Sequence, residues 1–167
     1  MITTTVHYLL QIMLNNQKHA YVLERACVQY EPDDERYIEL TSKVYEHVNR
    51  TQQFDLLRST RHFGPMAFYL TWHDKIDLLL ADMLERNLLL DAEDLVKLYC
   101  IVHGKTVPNV QKLDLIKDYL TNHSHKDTMP HLELSIQSYE DKNKDGEPVI
   151  NIENRQLLQK VINAGGL

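Results

Sequence analysis

His73 and Asp77 stand four residues apart within the stretch 64–90, GPMAFYLTWHDKIDLLLADMLERNLLL. On a helix that spacing places an imidazole and a carboxylate one turn apart on one face. Such a pair is the beginning of a carboxylate-bridged metal site in a helical bundle. A complete site of that kind needs Glu-x-x-His on two helices and single glutamates on two more. No Glu-x-x-His occurs in the chain. The plainer reading is an i, i+4 ion pair at the edge of an apolar face, contributing about 0.3 kcal/mol.

Two other groups have metal-ligand chemistry. Asp141, Asn143 and Asp145, followed by Gly146, match the first half of a calcium loop, with oxygen ligands at alternate positions and glycine at the bend. The second half departs, because Ile152 stands where a bidentate glutamate is needed. A solvated turn uses the same residue types. His123, His125 and His131, with Asp127 between them, fall in a polar loop whose spacing matches no tight zinc-ligand pair. Gly104-Lys105-Thr106 lacks the upstream glycine of a phosphate loop. There is no Gly-x-Ser-x-Gly, and Cys27 and Cys100 both fall in helical patterns, where they read as reduced, buried thiols. The sequence therefore assigns no catalytic residue and no cofactor.

The elements that carry these residues are helical. From Gly64-Pro65 onward, Phe68, Tyr69, Trp72, Ile76, Leu79, Leu80, Met83 and Leu84 recur at helical spacing. With Leu78 and Ala81 they form a broad apolar arc, which needs more than one neighbour to cover it. The pattern predicts a central helix over 65–90, holding the only tryptophan in the core. Residues 4–30 read as helix, interrupted by the polar patch 15–18. Asp33-Asp34-Glu35 begins a second helix reaching about Thr51, and 52–63 reads either as its continuation or as a short separate helix. Asp91 reads as the cap of a helix ending at His103-Gly104, and Asn109 as the cap of one ending near His123.

Beyond residue 124 the pattern changes. Leu132, Leu134 and Ile136 alternate with polar residues, DKNKDG at 141–146 is a strong turn signal, and Val149 and Ile152 suggest a return strand. These features propose a β-hairpin over 132–152. A helix over 131–139 competes, because Leu132, Ile136 and Tyr139 also fit helical spacing. A last helix is expected over 153–163. The fold class is thus mainly α: a helical bundle over 1–124 around the central helix, and a small α/β appendage over 125–167 bearing the hairpin.

Helix 91–103, helix 110–122 and the hairpin have the order of a winged helix-turn-helix over 91–152. Under that reading Lys112, Lys117, Lys142 and Lys144 contact nucleic acid. However, no arginine lies between Arg86 and Arg155, and the net charge is −6, which disfavours broad binding to phosphates. Nine tyrosines against three phenylalanines favour a surface that is apolar on one side and wet on the other. Tyr21, Tyr30, Tyr37 and Tyr45 concentrate in the first two helical stretches and are the interface candidates. The first functional expectation is a soluble, cytoplasmic, non-enzymatic interaction protein. It would be an adaptor, inhibitor or assembly subunit, with another protein or a second copy of itself as partner. A winged-helix regulator and a metal-binding helical protein are the alternatives.

Overall fold

The computed structural model describes residues 4–143, with side chains from Tyr8 onward. Among the described residues the elements are all helical. They are α1 (Thr4–Asn15), α2 (His19–Gln29), α3 (Glu35–Thr51), α4 (Asp55–Arg58), α5 (Phe63–Trp72), α6 (Asp77–Glu85), α7 (Leu89–Val102), α8 (Lys112–His123) and α9 (Met129–Asn143). Neighbours in sequence pack as neighbours in space: α1 on α2, α2 on α3, α7 on α8, α8 on α9. α5 bridges α3 and α7, and α6 lies between α7 and α9.

The mainly helical expectation holds, but the central helix over 65–90 does not exist as one piece. It is α5, a break at 73–76, α6, a second break at 86–88, and the start of α7. Both breaks have the same chemistry. Asp74 takes φ 59° and Asn87 φ 62°, in the left-handed region. The next amide then turns back to close the helix: Lys75 N–H donates to the Leu70 carbonyl and Leu88 N–H to the Met83 carbonyl, both at 2.8 Å. Asp and Asn tolerate this conformation better than other side chains, so they end helices where no glycine is present.

The device recurs. Gln17 (φ 58°) ends α1, Gln52 (φ 56°) ends α3 and Gly104 (φ 63°) ends α7, each with the same six-to-one hydrogen bond. Only Gly104 carries the usual sequence signal. The polar patch 15–18, read as an interruption of helix 4–30, is the α1–α2 junction at Gln17. At the start of α5, Gly64 precedes Pro65, and lacking Cβ it can be helical there where other residues would clash with the proline ring.

Splitting the central helix changes which faces are buried. α6 buries six of its nine residues, including Leu79, Leu80, Met83 and Leu84, so it is covered on most sides. α5 buries Met66, Leu70 and Thr71 and turns its aromatic edge outward. Trp72 is 62% exposed and Phe68 49% exposed, which corrects the assignment of the tryptophan to the core. Cys27 is exposed as well, while Cys100 is buried.

The hairpin over 132–152 is also corrected for its first strand. Residues 132–143 lie in α9. Leu132, Ile136 and Tyr139 are buried in the same core cluster as Leu23, Leu80 and Tyr119, whereas Leu134 is 65% exposed. A strand would have put Leu132, Leu134 and Ile136 on one face; the helical spacing is the one that buries the apolar set. The expected return strand at 149–152 and the last helix at 153–163 lie outside the described residues.

Charged side chains close the surface over this core. Arg58 reaches Asp55 at 3.2 Å and also Asp82, and Arg86 reaches Asp82 at 2.9 Å and Asp55 at 2.7 Å. This four-membered ring ties α4 to α6. At α2, Glu24 accepts from Arg61 Nε at 2.8 Å and from the buried His62 at 2.9 Å.

The left-handed helix ends give a direct test. Gln52 is exposed and carries a Cβ in a conformation that disfavours one. Gln52→Gly should raise the unfolding free energy by about 0.5–1 kcal/mol, and Gln52→Val should lower it by at least as much. Thermal unfolding followed by circular dichroism reads both, with shifts of about 2–4 °C per kcal/mol for a chain of this size.

Candidate functional site

The largest concentration of polar chemistry lies where α6, α8 and the α8–α9 loop meet. Its centre is Asp77, the first residue of α6, only 2% exposed. The carboxylate accepts four hydrogen bonds. Tyr119 Oη of α8 donates to Oδ1 at 2.6 Å. Ser124 Oγ and the His125 backbone N–H donate to Oδ2, each at 2.9 Å, and Thr128 Oγ1 donates to the same oxygen. Asp77 also sits at a helix N-terminus, where the backbone dipole favours a negative charge.

Aromatic, lysine and histidine side chains surround it. Tyr99 of α7 packs edge-on against Tyr119 with ring centroids 4.9 Å apart. Lys105 Nζ donates to Tyr99 Oη and to His123 Nδ1, both at 3.0 Å, and lies over the Tyr99 ring. His125 Nε2 donates to the Asp74 carbonyl and lies 3.5 Å from its carboxylate. His103 Nε2 donates to the Thr71 carbonyl at 2.9 Å, tying the end of α7 to the end of α5. Burial raises the pKa of Tyr119 well above the usual phenol value, and the Asp77 charge and hydrogen bond add to it. Tyr99 moves the same way, through burial first and then the neighbouring Asp74 carboxylate. Both phenols therefore stay protonated as donors.

What this arrangement can do is set by its burial. Four donors of the protein itself converge on the carboxylate, three on Oδ2 and one on Oδ1. A general base must lie within hydrogen-bond reach of its substrate, directly or through one water. Asp77 is only 2% exposed and is held by side chains and backbone of α8 and the α8–α9 loop. The cluster is a fastener: it pins the α8–α9 loop and the start of α9 onto α6.

His73 and Asp77 are not brought together as a helical pair. His73 is exposed at the end of α5, its ring tilted against Tyr69 with centroids 4.3 Å apart, while Asp77 opens the next helix. The break at Asp74 separates them. Asp141 and Asn143 belong to the last turn of α9, not to a loop, and Asn143 Nδ2 donates to the Tyr139 carbonyl at 2.8 Å. Asp145 lies outside the described residues. Among the described residues no three His, Cys, Asp or Glu side chains come together as metal ligands.

The winged-helix arrangement is corrected with the hairpin, since α9 occupies the first strand of the wing. Lys112 pairs with Glu93 at 3.5 Å and Lys117 with Glu140 at 2.5 Å. Lys142 is exposed at the end of α9, and Lys144 lies outside the described residues. Of the tyrosines, Tyr21 is exposed, Tyr30 and Tyr37 are half-buried, and Tyr45 is in the core against Tyr69. Tyr119, Ser124 and Thr128 went unnoticed in the sequence. The available signal was Thr128-Met129-Pro130, a helix start that the strand reading obscured.

A second buried polar pair joins α2 to α3. His19 Nε2 and His47 Nδ1 lie 3.0 Å apart and share one hydrogen bond. His19 Nδ1 is buried without a partner. Burial first, then repulsion from His47, lowers the His19 pKa from 6.5 to about 4. Burial also lowers that of His47.

Two expectations follow from these sites. Asp77→Asn puts an amide group against hydroxyl and backbone donors and should cost about 3 kcal/mol of stability, measured by urea unfolding. The His pair sets a pH dependence. The unfolded chain protonates His19 near 6.5 and the folded chain only near 4, so stability is complete above 6.5 and declines as pH falls toward 4. The slope should approach about 1 kcal/mol per pH unit in that window, and His19→Leu should flatten it.

A family model described as mitochondrial 28S ribosomal protein S22 matches residues 5–104. The chain is 38% identical over 139 residues to a small ribosomal subunit protein mS22 of Bos taurus, covering 79% of this chain and 38% of the relative. The Mus musculus protein of the same name is 37% identical over the same length. The chain thus spans 38% of the length of the curated relatives it matches. The cytoplasmic assignment is overturned by these matches, because the family is a mitochondrial one. With more than half of its length matched by the family model, from α1 to the end of α7, the chain belongs to the mitochondrial 28S ribosomal protein S22 family.

Proposed function

We propose that this chain is a structural component of the mitochondrial small ribosomal subunit. It acts as an assembly protein whose helix faces contact other ribosomal proteins, within a particle that also contains ribosomal RNA. The observation that carries the reading is the family match over α1 to α7. The buried Asp77 cluster agrees with it, since the most elaborate polar site among the described residues holds helices together.

The reading narrows the expectation of an interaction protein. It favours an assembly subunit over an adaptor or an inhibitor, and other ribosomal proteins over a second copy of the chain as partners. Exposed apolar side chains supply surfaces for such contacts: Tyr8 and Leu9 on α1, Tyr21 and Val28 on α2, Phe68 and Trp72 on α5.

Density-gradient sedimentation of mitochondrial lysate tests the proposal. Epitope-tagged full-length chain should migrate with the small ribosomal subunit and persist there in high salt, as apolar contacts do. Migration only with free soluble protein would contradict it.

A further inference from the structure

α5 shares with α1 a sequence free of Asp, Glu, Lys and Arg, but it alone of the two exposes a phenylalanine and the tryptophan; much of FGPMAFYLTW faces solvent. Gly64, Pro65, Phe68 and Trp72 are all exposed. Pro65, Phe68 and Trp72 recur three and four residues apart and so line one side of the helix, with Gly64 one turn before Phe68. Phe68 and Trp72 lie one turn apart with ring centroids 6.1 Å from each other. Large aromatic side chains left in water on an uncharged helix have no role in the chain's own core, which α5 serves with Met66 and Leu70.

The face is also held rigid from both ends. At its start, Arg61 and His62 are tied to Glu24 of α2. At its end, Thr71 is tied to His103 of α7. A preorganised aromatic surface loses little entropy on docking, and tryptophan is the side chain most enriched at the energetic centres of protein interfaces.

Charge decides the class of partner. A nucleic acid would require cations on this face to meet its phosphates. α5 has none, and the flanking cations are engaged, Arg61 with Glu24 and Lys75 with Glu46. An uncharged face complements another uncharged face. We infer that the exposed side of α5, centred on Phe68 and Trp72, docks onto an uncharged apolar face of another protein of the small subunit. This rests on the assembly reading above and names the surface it uses.

Photo-crosslinking from position 72 tests the inference. The full chain carries benzoylphenylalanine at 72, or at the control position 94 on α7, where the Asp94 side chain is 76% exposed. Irradiated small subunits are purified and treated with nuclease. The expected result is a nuclease-resistant adduct to another small-subunit protein from position 72, at least tenfold stronger than from position 94. An adduct that nuclease removes, a crosslinked pair of this chain, or no adduct above the control overturns it. A wild-type chain that does not sediment with the subunit overturns the assembly reading itself, so the two failures are distinguishable. Independently, the double variant Phe68→Glu with Trp72→Glu should keep the wild-type circular dichroism spectrum and melting temperature, because both side chains lie outside the core. Its recovery in the small subunit should fall at least tenfold, and undiminished recovery contradicts the inference.

Discussion

A carboxylate sealed inside a helical protein must be satisfied or it unfolds its surroundings. Leaving a buried charge unpaired costs several kcal/mol, about 3–5 by the loss of one partner. Asp77 resolves this by drawing donors from three places: the Tyr119 hydroxyl of α8, the Ser124 hydroxyl and His125 amide of the following loop, and the Thr128 hydroxyl just before α9. The position of α9 depends on that convergence. Once the loop is pinned, Leu132, Ile136 and Tyr139 lie along α6 and complete its burial. Ser135 and Glu85 add a further bond at 3.2 Å along the same seam.

The second constraint is the repeated helix ending. Residues 17, 52, 74, 87 and 104 all take left-handed backbone angles, and each ends a helix with the same six-to-one hydrogen bond. A continuous helix over 65–90 would have carried its apolar arc around one axis. Ending it at Asp74 and again at Asn87 lets α6 run between α7 and α9 while α5 turns its aromatic edge away from the core. The same break that separates His73 from Asp77 therefore creates both the buried fastener and the exposed surface.

How far the sequence revealed this follows from the same physics. Apolar periodicity is strong evidence for helix, and the helical class and most helical stretches were readable from it. The helix ends at Asp74 and Asn87 were not, because left-handed Asp and Asn give no pattern separable from ordinary surface residues. At α9, alternation and helical spacing were both present in LELSIQSY; only the packing of Leu132 and Ile136 against α6 selects between them. The Asp77 cluster gathers residues more than forty positions apart, which local spacing cannot report. Of the tyrosine candidates Tyr45 lies in the core and Tyr21 is exposed, and the aromatic pair Phe68 and Trp72 is exposed on α5. Membership of a mitochondrial ribosomal protein family was not legible in any motif of the sequence.

Asp77 fastens the α8–α9 loop and α9 to the rest of the core. Hydrogen–deuterium exchange on the Asp77→Asn variant tests it most directly. Faster exchange is expected, confined to residues 119–136 and the first turn of α6, with α2 and α3 unchanged. Protection that stays at the wild-type level in the loop and α9 would contradict it.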